Sequence, residues 1–316
     1  MTHRATIALR RLERDSHDQC SRCGRAFKEG DTAHAGFLGD LVAAYVGDCC
    51  AHELVETSAR YHWTPLPYER PPGEAILWRY TDLAKFIALL KDRALYFVRA
   101  DRLGDPFEGA KGSAKRKETW DSFYLEFFRS AVRNPPPGIT TSFTSEEIED
   151  KAQRLLQALE KGGLREREQT YVSCWHESEH ESEALWRRYG GHGDLAIAIR
   201  TTASRLIRSL GDDPGIKIGR VKYVDMARQF VGVNEAFFRK RRSFEHEQEV
   251  RALVQIFQNP PDGGHIMPVD LGTLIESVVV SPIAPVWFAD VVREVLARFG
   301  SPSELRTSEL ADEPFF

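Results

Sequence analysis

The stretch ILWRYTDLAKFIALLKDRALYFV, residues 76–98, sets the fold class of the larger part of this chain. Ile76 to Tyr80 is a short apolar run that reads as a strand, and Leu95 to Val98 reads as the next one. Between them Thr81 can cap a helix whose Leu83, Phe86, Ile87 and Leu90 share one face. Further strands are expected at Thr170 to His176, Leu195 to Ile199, Ile218 to Val224, Glu249 to Ile256 and Ser277 to Val280. Helices are expected at Ser182 to Tyr189, Ala203 to Leu210, Met226 to Arg241 and Ala284 to Phe299. Trp120, Phe123, Tyr124, Phe127 and Phe128 recur at helical spacing, the pattern of a core face, and Pro135, Pro136 and Pro137 end that helix. Thr144 with Glu147 forms a capping box ahead of Ile148, Ala152, Leu155, Leu156 and Leu159, a run that Gly162 and Gly163 should stop. Strands and helices alternate without repeating βαβ units or a glycine-rich phosphate loop. The order favours an α+β domain, with a mixed or antiparallel sheet core and flanking helices, over a doubly wound sheet.

Upstream, residues 61–74 are rich in proline (Pro65, Pro67, Pro71 and Pro72) and read as a linker between a module at 1–60 and a main domain at 75–316. The module contains CSRCGRAFKEGDTAHAGFLGDLVAAYVGDCCAHEL, residues 20–54. Cys20 and Cys23 form a C-x-x-C knuckle turned by Gly24. Cys49 and His52 form a C-x-x-H step where a helix begins, and the two pairs together complete a tetrahedral metal site. Thr32 to Val46, broken by Gly36 and Gly39, reads as the hairpin between knuckle and helix, a treble-clef-like arrangement. Cys50 and His34 are alternative ligands for Cys49 or His52. So short a segment buries too little apolar surface to fold alone, so the ion is expected to be a structural zinc. Four protein ligands leave no open position for catalysis, and the module is expected to dock a target or partner.

Composition narrows the function classes. With 43 basic and 47 acidic residues the formal charge is −4, so no global field draws the chain to nucleic acid or membrane, and any polyanion site must be local. No stretch approaches the roughly 18 to 20 apolar residues of a membrane span. Five cysteines, four of them in the first fifty residues, suit metal ligation in a reducing, cytoplasmic setting better than a disulfide framework.

Four segments carry more polar and aromatic residues than core strands need: LWRYTD (77–82), LYFVRADRLGDPFEG (95–109), YVSCWHESEHESEALWRRYGG (171–191) and SFEHEQEVRALV (243–254). They hold a DP-x-E turn (Asp105, Pro106, Glu108), a W-x-x-Y pair (Trp186, Tyr189) and an E-x-E-x-R run (Glu247, Glu249, Arg251). In this order the motifs resemble an uncharacterised bacterial family, domain-of-unknown-function family 2971, from about Ile76 to the C terminus and without the zinc module. That family implies no reaction.

More distantly, the arrangement resembles the ADP-ribosyltransferase-like superfamily. The resemblance implies NAD or a related nucleotide as substrate. Arg79 or Tyr80 would meet the nicotinamide ribose, Tyr96 the nicotinamide ring, and Glu247 or Glu249 the positive charge that develops on the sugar. Phe244 would stand at the lip of the glutamate loop. Arg251 could orient a carboxylate or meet a phosphate, and Glu108 is a further candidate. Read without the resemblance, Glu247, Glu249 and Arg251 also match a solvated or salt-bridged sheet face, Arg79 an ordinary ion-pair partner and Tyr96 a half-buried strand aromatic.

Cys174 and His176 fall on one side of a strand, where a lone cysteine is usually a small buried hydrophobe. Arg239 to Arg242 and Lys115 to Lys117 are local basic patches. They support the alternative of a non-catalytic module that binds a nucleic-acid or protein target in a bacterial defence or stress system. A third possibility is metal-dependent phosphodiester cleavage through Asp105, Glu108, Glu247 and Glu249.

Overall fold

The structure is a computed structural model that describes residues 2–8, 19–28, 30–38, 41–52, 54, 68–134, 143–189, 195–211, 213 and 215–316. The chain divides into two compact units, Met1–Leu66 and Pro67–Phe316. Gly39, Pro135 to Pro137, the turn Gly190 to Gly193 and the first part of the expected linker lie outside the described residues.

The smaller unit is built on an antiparallel sheet of β1 (Thr2–Ala8), β2 (Thr32–Leu38) and β3 (Leu41–Gly47), with β2 central. The hairpin β2–β3 matches the sequence reading, whereas β1 was not expected. The Cys20 carbonyl accepts from the Gly24 amide at 2.8 Å, and Gly24 adopts φ 71°, the left-handed turn that the knuckle requires. Ala33, Ala44, Val46, Phe27 and Leu54 form a small apolar core.

The larger unit is α+β, with a mixed sheet that joins nine strands among the described residues. Residues 68–74, within the span read as linker, pack on this unit: Tyr68 stacks on Phe238 at 4.3 Å, and Glu69 pairs with Arg220. The opening segment folds as β4 (Ile76–Asp82), α1 (Leu83–Asp92) and β5 (Ala94–Arg99). Asp82, not Thr81, caps α1, accepting from the Lys85 amide at 2.8 Å, because the strand runs two residues further than its apolar run. After α2 (Lys117–Arg133) the Thr144 capping box opens α3 (Ser145–Gln169). That helix continues through Gly162 and Gly163. Two glycines cost a long helix about 2 kcal/mol, which the turns on either side can outweigh.

There follow β6 (Thr170–Glu177), α4 (Glu183–Tyr189), β7 (Ala196–Thr202), α5 (Ala203–Ser209), β8 (Lys217–Arg220) and β9 (Lys222–Val224). The chain ends with β10 (Arg239–Arg241), β11 (Glu249–Gln255), β12 (Gly264–Pro268), α6 (Leu271–Leu274), β13 (Ser277–Val280), α7 (Val286–Arg298) and β14 (Glu304–Arg306). The helix expected over Met226 to Arg241 is absent. A 3₁₀ turn at Val233–Phe238 and the strand β10 stand there, Gly232 before them being extended at ψ 149°.

One feature of this sheet shapes the site. β11 pairs with β6 along its whole length, whereas the other edge of β6 is shared. β5 pairs only at Val172 and Tyr171, and β4 only at Glu177 and His176. The two strands therefore diverge and leave Ser173, Cys174 and Trp175 unpaired on that edge. Leu77, Phe97, Trp175, Val250 and Ala252 face a core closed by Phe86 of α1, Leu206 of α5 and Phe288 of α7. The opposite face carries two separate apolar clusters. One is Trp78, Tyr80 and Trp186; the other is Tyr68, Val172, Phe237, Phe238 and Leu253.

A candidate active site at the split in the sheet

Strand alternation places Cys174 and His176 of β6 beside Arg251 and Glu249 of β11 on one face, between those two apolar clusters. A cavity of about 840 Å³ occupies the split and is lined by Arg79, Tyr80, Tyr96, Glu108, Phe244, Glu247, Glu249 and Arg251. These candidate catalytic and substrate residues therefore meet at one hollow, though they come from β4, β5, the loop after β5, the segment before β11 and β11 itself.

Arg251 is fully buried and organises the acids. Its guanidinium donates to both oxygens of Glu108 (2.7 and 2.8 Å), to both oxygens of Glu249 (2.6 and 3.2 Å) and to the Phe237 carbonyl (2.7 Å). Lys240 adds a second buried cation, 2.5 Å from Glu247 and 3.0 Å from Glu249. Arg188 of α4 approaches the other Glu247 oxygen at 3.4 Å. Burial pushes the Glu249 carboxyl up, but Arg251 and Lys240 more than reverse this and hold it at about 2. The acids are thus neither a solvated row nor free for a cation. Among the described residues, the one group of three or more His, Cys, Asp or Glu side chains whose ligand atoms converge is a set of thiols in the smaller unit.

Glu247 departs from the expected strand position. It ends a 3₁₀ turn, Arg242–Glu247, and Gln248 with φ 36° reverses the chain before β11 starts at Glu249. The two glutamates therefore enter from different backbone directions. Phe244, in the same turn, has the Lys240, Arg241 and Arg188 cations at 4.9, 5.4 and 5.7 Å from its ring.

Arg79 reaches across the split, donating to Ser173 Oγ at 2.5 Å and to the Tyr96 carbonyl at 3.3 Å. Among the described residues no carboxylate lies within ion-pair distance of it, so the ion-pair reading of Arg79 does not apply. Tyr96 is 49% exposed, lying over Gly264, where an added Cβ would stand 2.2 Å from its ring. Tyr80 is held in place at the cavity wall: its hydroxyl accepts from the Ser182 amide at 2.7 Å, and its ring meets Trp186 edge-on.

Burial pushes the Cys174 thiol well up, and neighbouring Glu249 adds to this, so it is a poor nucleophile. His176 Nδ1 donates to the Glu247 carbonyl at 2.7 Å, fixing that backbone turn. The basic run Arg239 to Arg242 is largely spent internally, Arg239 on Glu235, Lys240 on the acids and Arg241 on Asp105. Lys117 is likewise paired with Asp121 and Glu160. Lys240 and Arg188 are the site residues that sequence reasoning missed. Three residues of β10 are too few to show alternation, and Arg188 sat unremarked between Trp186 and Tyr189 in the helix that carries that pair.

No protein-family model matches this chain, and no curated protein does. The resemblance to the uncharacterised bacterial family thus stands on the quoted motifs alone. Three solved structures of DarT from Thermus sp. 2.9 are similar to it. The complex with NAD+ is 10% identical, covering 77% of this chain and 99% of that one, with a TM-score of 0.36. The complexes with ADP-ribosylated single-stranded DNA and with carba-NAD+ are each 12% identical with TM-scores of 0.34. They cover 76% and 75% of this chain and 96% of the other. At that distance, fold and function have to be argued from this chain's own residues.

In the smaller unit, the sulfurs of Cys20, Cys23, Cys49 and Cys50 lie within 4.8 Å of one another. An ion with Zn–S bonds of about 2.3 Å needs its sulfurs about 3.8 Å apart, so the group fits one tetrahedral metal. The fourth thiol is Cys50 where His52 was expected, and the other alternative, His34, pairs with Asp48 at 2.9 Å. Burial pushes the Cys50 thiol up, and its thiol neighbours take it to about 12. So crowded a group cannot ionise together without a cation.

Proposed function

We propose that the Pro67–Phe316 unit is an ADP-ribosyltransferase-like enzyme that breaks the glycosidic bond of NAD or a related nucleotide, and that the smaller unit holds one structural zinc. The carrying observation is the convergence of Arg79, Tyr96 and Glu247 on one cavity at the divergence of β4 and β5. Breaking that bond gathers positive charge on the ribose, so a fixed carboxylate in a partly dry site stabilises the transition state more than the ground state.

Glu247 takes that role. Glu249 is locked by Arg251 from both oxygens, whereas the cations beside the Glu247 carboxylate include a lysine and a half-exposed arginine. Arg79, with no carboxylate in ion-pair distance among the described residues, meets a phosphate or the ribose hydroxyls. Tyr96 offers an exposed ring to the nicotinamide, and Phe244 covers the entrance. Glu108, Glu249 and Arg251 form the buried frame beneath. The zinc would be held by Cys20, Cys23, Cys49 and Cys50, and it ties knuckle to hairpin without touching the reaction.

The test is nicotinamide release from NAD by the full chain. Wild type is expected to release it, and Glu247→Gln to lose about 10²- to 10³-fold in kcat. Equal turnover in wild type and Glu247→Gln would sink the assignment of Glu247, and inertness of wild type toward NAD and related nucleotides would sink the activity.

A further inference from the structure

We propose that Lys240 is the positioning residue of this site: its ammonium clamps Glu247 to Glu249 and thereby fixes the direction in which Glu247 presents its carboxylate. The proposal rests on reading Glu247 as the group that meets the sugar cation. Lys240 lies at the centre of β10, opposite Tyr223 of the parallel β9. Alternation along the strand sends it away from Arg239 and Arg241, which pair with Glu235 and Asp105. It is 8% exposed, and it lines the cavity.

An ammonium has three N–H donors and no fixed fork, so it can join carboxylates that arrive from different backbone directions. Nζ stands 2.5 Å from Glu247, 3.0 Å from Glu249 and 3.7 Å from Glu108. Arg251 already holds Glu108 and Glu249, whereas Glu247 meets Lys240 in a short buried contact and Arg188 in a longer one on the solvent side.

The other groups around the clamp come from every neighbouring element. Tyr223 of β9 accepts from the Glu249 amide, and His176 of β6 holds the Glu247 carbonyl. His246 stands in the same 3₁₀ turn as Glu247, and Arg188 comes from α4. Burial pulls the Lys240 ammonium down, yet Glu249 and the other acids raise it above the ordinary lysine range, so it stays charged throughout the working pH range. With that charge removed, the repulsion between Glu247 and Glu249 is no longer offset at Nζ, and the balance at Glu247 shifts toward Arg188.

The experiment compares the full chain with Lys240→Met and Lys240→Arg by two readouts. Carbon-13 NMR follows titration of the side-chain carboxyls in glutamate-labelled protein, and steady-state kinetics follow nicotinamide release from NAD. Lys240→Met is expected to raise the titration midpoint of at least one cluster carboxyl by about one unit or more. It is expected to lower kcat about 100-fold with KM changed less than about three-fold. Lys240→Arg, which keeps the charge, should recover at least about ten-fold of that kcat. Unchanged midpoints in Lys240→Met overturn the proposal. So does a fall in activity that appears wholly in KM, or one that the arginine does not rescue. If wild type itself releases no nicotinamide, the proposed activity fails while the titration still decides the clamp. Should Lys240→Met not fold, Lys240→Gln, which keeps a hydrogen bond to the acids without the charge, is judged by the same outcomes.

Discussion

At the scale of single residues, what matters is the inequality between buried charges of opposite sign. Arg251 is fully buried and bonded to two carboxylates and a carbonyl, so removing it leaves Glu108 and Glu249 buried without that partner. Truncating one member of a buried ionic group costs about 3–5 kcal/mol, and Arg251→Met should lose stability of that order in denaturant unfolding. A loss below about 1 kcal/mol would show that the acids find solvent and that the frame is not buried. The residues that sequence revealed here were those out of place in a core strand: Arg79 amid Leu77 and Trp78, and Glu249 with Arg251 amid Val250 and Ala252. Lys240 was hidden because the run Arg239 to Arg242 looks the same whether solvated or turned inward.

At the scale of elements, the site exists because β4 and β5 share one edge of β6 without filling it. Periodicity shows strands but not their partners, so the elements were legible and the split was not. The same limit explains α2. The spacing of Trp120, Phe123, Tyr124, Phe127 and Phe128 is that of a helix face, yet none of its residues is buried, Phe123 being 63% and Phe127 55% exposed. A periodic pattern specifies a face, and only the neighbouring elements decide whether it is covered. Phe123→Ser and Phe127→Ser should therefore each cost less than about 0.5 kcal/mol, where a core phenylalanine costs several. Gly264 offers the opposite case. Its Cβ would overlap Tyr96, so Gly264→Ala should push that ring aside and raise KM for NAD while leaving the melting temperature within a few degrees of wild type.

At the scale of the whole molecule, two sources of order follow different conditions. No described helix is long and apolar enough to cross a membrane. The proposed zinc would order the smaller unit: the purified chain should carry one equivalent of zinc, lost in Cys50→Ser and kept in His52→Ala by metal analysis. Retention in the first and loss in the second would restore the histidine ligand read from the C-x-x-H spacing. The larger unit depends on ionised acids. Glu249 is held at about 2 against an ordinary value of 4.5, so the folded state binds its proton less readily than the unfolded chain. Its contribution is complete above pH 4.5 and is lost as the pH falls from there toward 2. Denaturant midpoints measured across that window should decline more steeply for wild type than for Glu249→Gln.

The central claim is that Glu247 acts on a nicotinamide nucleotide held in the split of the sheet. Its most direct measurement is a single-turnover incubation of the full chain with NAD, in which bound nucleotide and released nicotinamide are quantified separately for wild type and Glu247→Gln. The account predicts that both proteins bind NAD with affinities within about three-fold and that only wild type releases nicotinamide at an appreciable rate. Binding without release in wild type, or equal release in both, would contradict it.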